Sequence, residues 1–110
     1  MKKENFYDLI MDEILPNCIQ ILKTKGESYT LTDDRLIGFK KNAKLSGTTP
    51  LKLWLIFFAK HFDSITSYIN ENYSDSEPIE TRIYDMINYL FLLYGLIYEQ
   101  KTNQRIKKIM

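Results

Sequence analysis

The chain has 110 residues and 13.1 kDa, 45% of them hydrophobic and 26% charged, which suffices for one compact domain and is too little for two. A single cysteine, Cys18, excludes an internal disulfide or a multi-thiolate zinc site, and 15 basic against 14 acidic residues argue against a generic nucleic-acid binder that must neutralise many phosphates. The longest near-unbroken apolar run, Leu51 to Ala59 with Lys52 inside it, falls short of the ~20 residues a bilayer span needs, and the charged start Met1-Lys2-Lys3-Glu4 is unlike a secretory signal, so a soluble, cytoplasmic protein is expected.

Size scaling predicts a folded surface of roughly 6,400 Å² against about 19,000 Å² unfolded, enough burial for a core without staples. Valine is absent and isoleucine abundant, yet the apolar spacing is helical throughout. Phe6, Leu9, Ile10, Ile14, Cys18, Ile21 and Leu22 recur at three- and four-residue steps and predict a first helix over residues 5–25. Pro16 should kink it or divide it into two abutting helices, and Gly26 should stop it, leaving residues 27–32 as a connection. Thr32 or Asp33 can cap a short second helix carrying Leu36, Phe39, Ala43 and Leu45, ended by Gly47.

Pro50 suits a first helical position and opens a third helix predicted to reach Glu71. Its first half, from Leu51 to Phe58, is apolar nearly all round, which implies a central place in a bundle or a face shared with another subunit. A polar loop precedes Ser76-Glu77-Pro78, the start of a fourth and longest helix. There Ile79, Ile83, Ile87, Leu90, Tyr94 and Ile97 mark the expected core stripe, widened by Met86, Leu93 and Leu96. Lys101, Arg105, Lys107 and Lys108 complement the dipole at its C-terminus. The fold class is therefore all-α, an antiparallel bundle of four main helices forming a single domain.

Three constellations contain more than amphipathicity requires. Lys25-Gly26-Glu27-Ser28-Tyr29 precedes Asp33, Asp34 and Phe39-Lys40; its plain reading is a helix C-cap. Lys60-His61-Phe62-Asp63-Ser64 lies where the all-round apolar stretch ends. Lys60, Asp63 and Ser64 share a face there while His61 points elsewhere, and one histidine without a second or a thiolate does not define a zinc site. Arg82, Asp85, Asn88 and Tyr89, spaced by three and four, make a polar strip at the start of the fourth helix. Partly buried, Asp85 would need a partner such as Arg82, Lys60 or a ligand hydroxyl, and an interhelical salt-bridge network explains the strip equally well.

As an ordered set, Lys-Gly-x-x-Tyr, Asp-Asp-x-Leu-x-x-Phe-Lys, Lys-His-x-x-Ser-Ile and Glu-Pro-x-x-x-Arg-Ile-x-Asp-x-Ile-Asn-Tyr resemble a group of small phage-encoded helical proteins over about residues 20–98. These are similar to the nucleotide-modification-associated domain and, more remotely, to the MazG-like all-α nucleotide pyrophosphatases. The resemblance implies an oligomeric antiparallel bundle with a nucleotide pocket between the third and fourth helices. The pyrophosphatases hold magnesium with Glu-x-x-Glu and Glu-x-x-Asp pairs; here the first pair reads Lys60-x-x-Asp63, and Arg82 stands three before Asp85. Two cations in such a cleft suit direct contact with an anion.

The reading that follows is a non-catalytic homo-oligomer sequestering a nucleotide-like anion, in a phage-type protein a host defence signal, without metal or other cofactor. Lys60 and Arg82 would take phosphates and Asp85 and Asn88 the sugar or base, with Tyr29 or Tyr89 at the rim and Lys25, His61, Asp63 and Ser64 lining the site. One alternative is a divergent magnesium pyrophosphatase using Asp63, Glu80, Asp85 and Asp33 or Asp34. Another is an inhibitor of a host enzyme docking through Tyr68, Tyr73, Tyr84, Tyr98 and Trp54.

Overall fold

A computed structural model describes residues 1–27, 32–71 and 77–110, and among these residues the fold is all-α with no strands. Four helical rods are present. The first comprises α1 (Lys3–Leu9), a π-helical turn (Ile10–Ile14) and α2 (Leu15–Glu27); the others are α3 (Ile37–Leu45), α4 (Pro50–Glu71) and α5 (Ile79–Ile109).

Pro16 lies in the first turn of α2, directly after the π-helical turn that joins it to α1. Pro16 has no N–H to offer the carbonyl four residues back, and its ring crowds that carbonyl. The turn before it is widened, with the Leu15 N–H bonded to the Ile10 carbonyl five residues earlier. Gly26 does not act as the stop: the helix includes it and continues to Glu27, and the described glycine with positive φ is Gly47. What Gly26 provides is proximity, since a Cβ there would lie 2.8 Å from Nε and 2.9 Å from Cδ of Arg35. The Arg35 guanidinium in turn donates to the Leu22 carbonyl at 3.4 Å, placing a cation on the last turn of α2.

The start of α3 is capped by neither Thr32 nor Asp33. The Asp34 carboxylate accepts the Leu36 N–H at 2.9 Å, and Thr32 Oγ1 accepts the Asp34 N–H at 3.0 Å. Asp34 also pairs with Lys40 at 2.6 Å, and Lys40 reaches Glu99 on α5. The lysine hydrogen bond holds Asp34 below the usual carboxylate range, and the two carboxylates raise Lys40. At the far end Gly47, with φ 69°, turns the chain so that the Thr48 N–H meets the Ala43 carbonyl at 2.9 Å. Leu45, expected inside, is 79% exposed. The bounds of α4 match expectation, with Thr49 Oγ1 accepting the Lys52 N–H at 3.3 Å before Pro50 at the first position.

The core is small. Phe39, Ala43, Leu53, Trp54 and Leu96 are buried, with Leu36, Leu51, Phe57, Phe58, Tyr89, Leu92 and Leu93 around them. Trp54 stacks on Phe58 at 4.8 Å and donates its indole N–H to the Tyr89 carbonyl at 2.6 Å, tying α4 to α5. It is a core residue and not the interface anchor expected.

The stripe of α5 is the larger correction. The inward face is Asp85, Asn88, Tyr89, Leu92, Leu93 and Leu96, whereas Ile83, Leu90, Tyr94 and Ile97 are exposed. Both stripes recur at helical spacing, and Trp54, Cys18 and Lys25 supply hydrogen bonds and charge to the polar one. The molecule is correspondingly open. Its surface is 8788 Å² and its radius of gyration 16.8 Å, against roughly 6,400 Å² and about 13 Å for a compact monomer of this size.

Candidate functional site

The polar strip of α5 meets α2, and this junction builds the site. Asn88 is 5% exposed, and its Nδ2 donates to the Cys18 carbonyl at 2.9 Å. Its Oδ1 is buried without a hydrogen-bond partner among the described residues. A buried acceptor left unpaired costs about 1–3 kcal/mol, a cost that a water or a ligand donor would relieve. One turn earlier on the same face, Asp85 bonds Lys25 of α2 at 3.2 Å, the lysine 60% and the aspartate 13% exposed. The carboxylate also raises the thiol value of Cys18, after burial, which acts more strongly in the same direction.

These groups line a cavity of about 120 Å³, walled by Phe39 and Phe57 and bounded by Lys25, Arg35, Asp85 and Asn88, with Asn42 and Tyr89 also lining it. Its inner lining includes Asn88 and the Asp85 carboxylate, an acceptor. Lys25, the most exposed of these, puts a cation at the mouth. Such a space is large enough for several waters or for part of an organic molecule.

His61 is the inward-facing member of its segment. Its ring lies 4.6 Å from that of Tyr89. Burial pushes its imidazole below the ordinary value, and nearby Lys25 and Arg82 add to this while Asp85 and Glu77 oppose it. His61 is thus a neutral, packed ring beside Tyr89 at neutral pH.

The remaining predicted residues divide clearly. Lys60 and Asp63 are on the exposed side of α4, the Lys60 ammonium 5.8 Å from the centre of the Phe57 ring. The Ser64 hydroxyl donates to the Lys60 carbonyl at 3.2 Å, a bond within its own helix. Arg82 lies 3.8 Å from Glu77, and neither Arg82 nor Lys60 lines the cavity. The partner of Asp85 is therefore Lys25, and Lys25, Asp85, Asn88 and Tyr89 are the predicted site residues brought to one cavity. Tyr29, like Tyr73, lies outside the described residues.

Arg35 and Asn42 were not expected. Each sits on or just before a short helix, and nothing in the spacing of a single arginine or asparagine marks it as facing α2 rather than solvent. Among the described residues no three of His, Cys, Asp and Glu gather to hold a metal ion. Comparison with protein-family models, curated proteins and solved structures finds no match to this chain.

Proposed function

We propose that this protein is a non-catalytic binding protein for a nucleotide-like small molecule carrying both hydrogen-bond donors and negative charge. The reading is carried by Asn88, whose Oδ1 has no partner among the described residues, at a cavity lined also by the Asp85 carboxylate, Asn42, Tyr89 and the Lys25 and Arg35 cations. A ribose diol or the N–H edge of a base satisfies the two acceptors inside. Phosphate oxygens then remain at the mouth, where Lys25 supplies a mobile point charge and Arg35 a planar fork. Phe39, Phe57 and Tyr89 provide the apolar wall against which a ring packs.

Nothing in this arrangement is poised to activate water: the imidazole of His61 packs on Tyr89, and Asp85 is engaged by Lys25. Binding without turnover amounts to sequestration. Thermal-shift screening against nucleoside mono-, di- and cyclic phosphates in chelator tests this. A rise in melting temperature with at least one of them is expected, and no shift by any at millimolar concentration would leave the cavity to water and defeat the reading.

A further inference from the structure

Between Asp85 and Glu99, α5 contains thirteen residues without a charge, and only its inner face is covered by α2 and α4. On the outer face Ile83, Leu90, Phe91, Tyr94, Ile97 and Tyr98 are exposed, Tyr94 to 75% and Tyr98 to 66%. At 100° per residue they occupy roughly 120° of the circumference over about 22 Å of helix. Exposed apolar surface of that extent marks an interaction face.

We infer that the occupant is a second copy of this chain, packed so that the two α5 helices run antiparallel about a two-fold axis near Leu90 and Phe91. Three observations favour a second copy. The chain exposes about 2,400 Å² more than a compact monomer of its mass, enough to supply the roughly 1,000–2,500 Å² that an obligate dimer removes from each partner. A net charge of +1 gives two copies little mutual repulsion. Finally, the stripe is complementary to its own reverse. An antiparallel pairing centred between Leu90 and Phe91 sets Ile83 opposite Tyr98 and Ile87 opposite Tyr94 of the other copy. It also sets exposed Glu80 opposite exposed Lys101 at both ends. A parallel pairing would bring Glu80 against Glu80. The isologous geometry uses each contact twice.

The face is opposite the one that lines the cavity, so its failure and the failure of ligand binding are separable. Sedimentation velocity across micromolar concentrations tests the proposal. The wild-type chain is expected to be dimeric, or a higher assembly built on that dimer, and Leu90→Glu and Tyr94→Glu, both at exposed positions, to dissociate it by more than 100-fold while far-ultraviolet circular dichroism stays unchanged. Glu80→Lys should weaken association about 5-fold at low ionic strength, because the pair occurs twice, and Glu80→Lys/Lys101→Glu should restore it. A monomeric wild type at ~100 μM, or association indifferent to the glutamates, would overturn the interface, and absence of rescue in the double swap would overturn the antiparallel register.

Discussion

Asn88 sits at the point where stability and the proposed binding oppose one another. Its Nδ2 bond to Cys18 is made to a carbonyl already in the α2 ladder, while its Oδ1 bears an unmet desolvation cost. Asn88→Leu, with the same number and branching of side-chain heavy atoms, should therefore leave urea stability unchanged or raise it by up to ~2 kcal/mol. A loss of stability would mean that the amide is there for structure alone. Gly47 gives a purely conformational case. Its φ is 69° and no atom lies within 4 Å of an added Cβ, so Gly47→Ala should cost about 1–2 kcal/mol by chemical denaturation, with no change in the fold. At His61, burial lowers the imidazole value in the folded state, so unfolding takes up a proton between the folded and unfolded values. The contribution is complete above about pH 6.5 and is lost as pH falls through the lower folded value. Asp34, held down by Lys40, acts only in the carboxylate range and does not enter that window. His61→Gln should flatten stability between neutral pH and that window, and an unchanged slope would place the titration elsewhere.

Helix α4 shows how side decides energetics within one element. Leu53 is buried between α3 and α5, whereas Leu55 two residues on is exposed. Leu53→Ala should cost about 2–5 kcal/mol and Leu55→Ala less than ~0.5 kcal/mol in thermal or urea unfolding. The bounds of α4 were legible because Thr49-Pro50 is a local start signal. The inward face of α5 was not, for a physical reason. Periodicity identifies stripes but does not say which is covered, and the more continuous apolar stripe, Ile83 to Ile97, is the open one. The covered stripe includes Asp85 and Asn88, whose polarity is tolerated because Lys25 and the Cys18 carbonyl meet it from α2. Those partners lie about sixty and seventy residues away in sequence. The same distance explains why Lys25, Asp85, Asn88 and Tyr89 could be named singly while their convergence, and the part of Arg35, could not.

Over the whole molecule, an 8788 Å² surface around a core of a few buried residues leaves two needs. One is a cover for α5, which in the proposed dimer is a second copy. The other is a donor for Asn88 Oδ1, which in the proposed function is a ligand on the opposite face of the same helix. The all-α architecture holds both on one rigid element, so an event at the cavity and one at the interface share α5 as their common wall. The binding claim is the more central of the two. Isothermal titration of the wild-type protein and Asn88→Leu, with chelator present and a nucleoside monophosphate as the probe, tests it most directly. Saturable binding of one molecule per chain by the wild type, and none by a folded Asn88→Leu, is the expected result. Equal binding by both proteins, or no heat from the wild type, would contradict it.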